Sequence, residues 1–250
     1  DLSDQADTHV LTQLEDKLNE LVGDFKSYGL EVRSTILQGK AWTRIIEQAE
    51  KKRCGLTVIA SHGRTGLDRF VFGSVAERVV RHSSVPVLTV KYPEKECLDS
   101  TLELAIRHVL VPTDFSRQAE NALAYAVSLC REFSAKLSLV HVVELPMVMP
   151  EFMPDASSAL GADMTEYARQ LLERAKDSVV GVPIETHLRT GVAYREICAL
   201  VEESDVDLIV IPKHSGGSLI HVLFGSVAEK VVRRAPCPVI TLPVAETEQN

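Results

Sequence analysis

Short, wholly apolar runs alternate along this chain with longer stretches whose apolar residues recur every three or four positions. His108 to Pro112 is one such run, suited to a strand buried on both faces. Ala119 to Phe133 then carries Ala122, Leu123, Ala126, Val127, Leu129 and Cys130 at helical spacing, with Asp114 or Ser116 as its cap. Leu137 to Val143 predicts a second buried strand. A loop from Leu145 to Ser158 holds Pro146, Pro150 and Pro154. The pattern continues as a helix over Leu160–Val180, a strand over Ile184–Leu188, a helix over Tyr194–Glu202 and a strand over Leu208–Ile211. A helix over Val227–Arg233 and a strand over Val239–Leu242 close it. Apolar strands alternating with helices of this length imply a parallel sheet with right-handed crossovers.

The first 90 residues repeat part of this plan. Phe72-Gly73-Ser74-Val75-Ala76-Glu77 returns as Phe224-Gly225-Ser226-Val227-Ala228-Glu229, an offset of 152 residues, and 12 of the 19 positions from Phe72 to Val90 are identical to their partners. The register runs backwards without a gap: Gly39 falls on Gly191, Ile45 on Ile197, and Leu56–Ile59 on Leu208–Ile211. Solenoid periods are about 20–50 residues, so this offset means two copies of a whole domain. The first copy opens on an amphipathic helix, Thr8–Phe25, with Val10, Leu11, Leu14, Leu18, Leu21, Val22 and Phe25 on one stripe. Nothing in the chain matches the strand–helix–strand of 107–143 for that copy. The expected division is 1–91, a linker over 92–106, and 107–250.

Composition narrows the partners. Apolar residues make up 45% of the 250 positions, enough for a real core, and no apolar run approaches the roughly 18 residues that span a bilayer. Net charge is −8, which argues against general nucleic-acid binding, since that needs a basic surface. Cys54, Cys97, Cys130, Cys198 and Cys237 are odd in number, widely spaced and without a CxxC pair. They read as reduced thiols, and the chain as a cytoplasmic one.

The candidate chemistry lies after strand Leu56–Ile59, in Ala60-Ser61-His62-Gly63-Arg64-Thr65-Gly66, with a helix starting near Gly73-Ser74. Backbone N–H groups of such a loop, with a helix N-terminus, form an anion site, and Arg64 adds a charge-assisted contact. A tight strand-to-helix turn without a ligand is the other reading. His62 and His214 occupy equivalent positions, which suits a loop-shaping role. No metal-ligand spacing and no Ser/His/Asp nucleophile signature is visible. The methionines Met147, Met149, Met153 and Met164 lie in or just after the Pro-rich loop, a lid, a partner surface or a solvated crossover. Pro86 and Pro238 at strand starts suggest that Val85–Val90 and Cys237–Leu242 are edge strands that pair with each other.

These residues resemble the universal stress protein family, whose pattern is Gly, two residues, Gly, nine residues, Gly, then Ser or Thr. Gly63 is followed by nine residues and Gly73-Ser74, while Ala60 replaces the first Gly. Val111-Pro112-Thr113-Asp114-Phe115-Ser116 is similar to the family's first strand and its acidic residue, and Val140-His141-Val142-Val143 to the end of its second. The resemblance implies an α/β fold: two copies of a five-stranded parallel open sheet of order 3-2-1-4-5, the first lacking strand 1, helix 1 and strand 2. It also implies ATP, with Mg²⁺, at the switch point between strands 1 and 4. The ribose or adenine contacts would be Asp114 and Val142, beside Pro112 and Thr113. The phosphate contacts would be Gly63, Gly73 and Ser74 in the first copy, and Ser215, Gly225 and Ser226 in the second.

The second copy departs from the pattern. Pro212 stands where the first Gly belongs and Ser215 where the second does, and proline has no N–H to donate. ATP is therefore expected to bind there weakly or not at all. The first copy keeps its phosphate loop without the strand that carries its aspartate, and its strand 3 would lack sheet neighbours, as in a fragment of a longer protein. The leading expectation is a stress-response regulator that binds adenine nucleotide in at least one copy and is at most a slow ATPase. A nucleotide-independent interaction scaffold is the alternative. An intrachain pseudo-dimer through the last strands of the two copies is expected, with room for a homodimer, and without nucleic-acid or membrane partners.

Overall fold

The structure, a computed structural model, describes residues 2–61, 72–91, 105–144, 154–213 and 224–244. It divides into two compact units, Asp1–Arg44 and Ile45–Asn250. The elements run α1 (Leu2–Ser27), α2 (Ala41–Lys51), β1 (Thr57–Ala60), α3 (Ser74–His82), β2 (Val87–Val90), β3 (His108–Pro112) and α4 (Arg117–Phe133). They continue with β4 (Lys136–Val143), α5 (Pro154–Asp177), β5 (Ile184–Thr190), α6 (Ala193–Glu203), β6 (Leu208–Pro212), α7 (Ser226–Arg234) and β7 (Val239–Leu242).

All described strands form one sheet of order β1-β2-β7-β6-β3-β4-β5. From β7 to β5 it is parallel and follows the expected order, with β3 in the middle and the chain reversing direction between β3 and β6. Strands buried on both faces must be apolar throughout. β3, β6 and β7 are buried at every residue, while β1, at the edge, alternates and leaves Val58 60% exposed. Val109, Val111, Leu137, Leu139, Leu208 and Val210 meet Ala122, Ala126 and Cys130 of α4 and Leu172 of α5 in one core cluster. Ile197, Leu200 and Val201 of α6 and Val231 and Val232 of α7 are buried as well.

The repeat is written into the backbone. Thr57 pairs with Val87 and Ile209 with Val239, the same register 152 positions on. Left-handed residues recur at that offset too: Gly29 and Gly181 (φ 78° and 77°), Gly39 and Gly191 (125° and 148°), and Arg53 and Asp205 (both 50°). At Gly39 and Gly191 only glycine fits easily, because a Cβ would lie 2.9 Å from Arg44 Nε or 2.8 Å from Glu196 Oε1.

β2 and β7, the last strand of each copy, pair with each other antiparallel, Val87 with Thr241, Leu88 with Ile240 and Thr89 with Val239, so each has neighbours on both sides. Leu88 and Ile240 are equivalent residues of the two copies, so a local twofold passes through their pair. The contact extends beside the sheet. Arg233 Nη2 lies 3.1 Å from Glu77 Oε2, Arg81 pairs with Glu77, and Arg233 with Glu229. Lys213, 7% exposed, donates from Nζ to the Ser83 carbonyl at the end of α3 (3.1 Å).

Two expectations need correction. Residues 32–38, equivalent to β5, form no strand. β5 is held by β4, and the first copy has no counterpart of β4 in the described residues to hold this segment. Leu14, Leu21 and Phe25 of the α1 stripe are about half exposed, and in the second copy α5 lies on β4 and β5. α5 also starts at Pro154 rather than Leu160 and ends at Asp177. Proline suits a first helical turn, where its missing N–H has no partner to lose.

Candidate functional site

The C-terminal ends of β3 and β6, with β4 beside them, open into a cavity of about 680 Å³. This is where an open α/β sheet binds ligands, and the volume suits a small molecule. Its wall combines Pro112 at the end of β3 with Thr113 and Asp114 after it, Val140 to Val143 of β4 with Glu144 after it, Met164 and Tyr167 of α5, and Gly225, Val227 and Ala228 at the start of α7.

Local bonding shapes the lip. Thr113 N–H donates to Val140 O (2.8 Å), and Thr113 Oγ1 accepts from Phe115 N–H (3.0 Å). Asp114 Oδ1 accepts from Ser116 N–H (3.1 Å), and Ser116 is the N-cap of α4, with its hydroxyl accepting from Ala119 N–H (3.3 Å). These bonds hold Phe115 at φ 62°, a strained position for a non-glycine residue. Asp114 itself is exposed. His141 is half-buried. Its Nδ1 donates to Thr113 O (2.8 Å) and its ring lies 4.6 Å from that of Phe115, so it is part of the cavity wall rather than of a closed core. Glu144 Oε1 accepts from Ala193 N–H at the start of α6 (2.7 Å).

The charge around this cavity is one-sided. Asp114 and Glu144 line it, and no Lys or Arg does among the described residues. Lys213 follows Pro212 directly, but its ammonium is spent on Ser83 and burial pulls its pKa down. What remains for an anion is the N-terminus of α7. Gly225 is its N-cap, no side chain caps it, and the N–H groups of its first turn have no partner within the helix.

The sequence-nominated residues therefore separate. Pro112, Thr113, Asp114, Val142 and Gly225 meet at this cavity. Ser226 is the first residue of α7 and exposed. Ala60, Gly73 and Ser74 belong to the first copy, at the end of β1 and the start of α3, and do not line the cavity. There Gly73 N–H donates to Ser61 O (2.8 Å), and a Cβ on Gly73 would sit 3.2 Å from that oxygen. Gly225 and Lys213 repeat this bond at 2.9 Å. Ser74 and Ser226 are not caps, since the glycines before them hold that place. His62, Gly63, Arg64, His214, Ser215, Met147, Met149 and Met153 lie outside the described residues.

Phe115, Glu144 and Tyr167 were not anticipated at this site, while Met164 was among the methionines expected in a lid, a partner surface or a solvated crossover. Met164, Tyr167, Ala168 and Leu171 follow helical spacing, a signal present in the sequence. Nothing there marks the left-handed Phe115. No group of three metal-ligating side chains occurs among the described residues, and none of their helices is long and apolar enough to cross a membrane.

The comparisons with known proteins agree with this architecture. The model of the universal stress protein family matches residues 1–91 and again 105–243. A universal stress protein of Mycolicibacterium smegmatis is 24% identical over 240 residues, covering 94% of this chain and 76% of that one. One from Methanocaldococcus jannaschii is 44% identical over 71 residues, which is 28% of this chain and 42% of its own length. The crystal structure of a universal stress protein from Archaeoglobus fulgidus superposes with a TM-score of 0.64 at 25% identity, over 93% of this chain and 76% of that one. With two matches of one family model in register with the internal repeat, the chain belongs to the universal stress protein family as a tandem member.

Proposed function

We propose that this chain is a stress-response regulator that binds an adenine nucleotide, and that residues 1–91 and 107–250 work as a pseudo-dimer of two universal stress domains. The observation that carries the reading is the cavity at the β3/β6 switch point, with the N-terminus of α7 aimed at it. A nucleoside fits its apolar wall of Val140, Val142 and Ile197, and Asp114 would accept hydrogen bonds from ribose hydroxyls. The first-turn N–H groups of α7 would receive a phosphate. Asp114 and Glu144 would repel the rest of a polyphosphate unless Mg²⁺ came with it. Such a ligand would act by occupancy.

Calorimetry of the chain with ATP, AMP and adenosine, with and without Mg²⁺, tests this. Saturable binding that is lost in Asp114→Ala supports it. Absence of binding by all three overturns it and favours a nucleotide-independent scaffold, a reading supported by Pro212 in the cavity wall and by the lack of Lys or Arg there among the described residues.

A further inference from the structure

A second charged feature lies on the outer side of α6 and α7. Tyr194, in the first turn of α6, is ringed by three cations: Arg234 Cζ at 5.0 Å from the ring centroid, Lys230 Nζ at 5.2 Å and Arg195 Cζ at 5.9 Å. The phenol oxygen accepts from Arg195 Nε (3.1 Å) and Arg234 Nη1 (3.4 Å). All three cations are exposed, and among the described residues none has a carboxylate partner. The contrast with Arg233 is direct, since it sits between Glu77 and Glu229. Lys230 and Arg234 are four apart on one helix, where like charges repel. A chain of net charge −8 thus keeps three unneutralised cations on one phenol.

The first copy holds part of this constellation in sequence, with Thr43 in the place of Arg195. Trp42, Arg78 and His82 stand 152 positions before Tyr194, Lys230 and Arg234, although 7 of the 19 positions around the last two have diverged. The aromatic residue and the two basic ones on the following helix have stayed aromatic and basic.

We propose that Arg195, Lys230 and Arg234 around Tyr194 form a binding site for a phosphate dianion. The ring orients the cations by holding them against its face and edge, and its oxygen keeps two guanidinium planes aimed at one point. A carboxylate would leave most of the positive charge unanswered. A phosphate dianion brings three acceptor oxygens to three donor groups, two of them planar forks suited to it. The dianion comes as the monoester of a phosphorylated side chain on another protein or as free phosphate, and the two sources share this chemistry. The site is separate from the nucleotide cavity.

The test uses the 250-residue chain at low ionic strength with two probes. One is a fluorescein-labelled phosphoserine peptide read by anisotropy, with its unphosphorylated form as control. The other is inorganic phosphate read by ³¹P line broadening. We expect saturable binding of a phosphate probe that weakens as salt rises. Lys230→Ala and Arg234→Ala should each lower the affinity about 10-fold to 100-fold, the loss of one charge-assisted contact. Lys230→Arg should retain it. Asp114→Ala should leave it unchanged, which separates this site from the nucleotide cavity. Peptide binding without phosphate binding identifies a phosphoprotein ligand, and equal affinity for both identifies free phosphate. The proposal fails if neither probe saturates, if the unphosphorylated peptide binds equally well, or if folded Lys230→Ala and Arg234→Ala bind like the parent chain.

Discussion

Ser138 lies in the middle of β4 with no exposed surface, and it ties three strands together. His108 Nδ1 donates to Ser204 O (2.9 Å), which leaves Nε2 as the acceptor of the Ser138 hydroxyl proton (2.8 Å). The Ser138 oxygen in turn accepts from His187 Nε2 on β5 (3.1 Å). Ser138→Ala removes both bonds. His108, 2% exposed, then keeps a buried nitrogen that water cannot reach, at about 1–3 kcal/mol. His187 has 22% of its side chain exposed, so its N–H regains water and adds little. The expected loss is about 2 kcal/mol, or a melting point lower by about 4–8 °C for a domain of this size. Urea melts followed by circular dichroism at pH 8 measure it, with an unchanged slope expected. The same network sets a pH dependence. Burial lowers the pKa of both His108 and His187, so the folded chain holds them neutral while the unfolded chain binds protons near 6.5. The unfolded state therefore carries more protons below that pH, and stability falls as pH drops from 6.5 toward the lower folded values. The slope is at most about 1.4 kcal/mol per pH unit for each histidine. A midpoint unchanged by Ser138→Ala, or stability that rises on acidification from pH 7 to 5.5, would refute this account of the network.

Other outcomes follow from single sites. Gly191→Ala should cost about 1–2 kcal/mol, from left-handed strain and displacement of Glu196, and Gly39→Ala should cost a similar amount; thermal melts decide. Ser116→Ala should cost about 1 kcal/mol through loss of the α4 cap, read the same way. Glu77→Ala removes the shared partner of Arg81 and Arg233. All three are about a third exposed, so the loss should stay near 1 kcal/mol and shrink in 1 M salt. Burial pushes the Cys130 thiol up to about 11 and Cys237 to about 12, so iodoacetamide at pH 7.5 followed by peptide mapping should label exposed Cys54 well before either.

The sequence announced most of this fold because its repeat constrains backbone as well as side chains. Gly29, Gly39 and their partners are needed at left-handed positions, and Phe72–Val90 repeats because the same helix and strand are packed twice. Where it misled, the cause was a missing neighbour. The segment 32–38 reads like β5 in register, but a strand needs a partner, and the apolar pattern of α1 cannot show whether there is a sheet for it to cover. At the cavity, Asp114, Thr113 and Val142 were legible as a motif. Phe115 was not, because its conformation is imposed by two side-chain bonds of the preceding turn, and neither was Glu144, whose target is a backbone N–H some fifty residues away.

The antiparallel join of β2 to β7 has a consequence for assembly. Two separate domains that met through such strands would find each other only at sufficient concentration, and each exposed strand could meanwhile pair with a stranger. Here residues 91–107 tie one strand to the start of the other copy, which sets an effective concentration of order millimolar whatever the number of molecules present. A chain made in few copies therefore closes its own sheet as readily as one made in thousands.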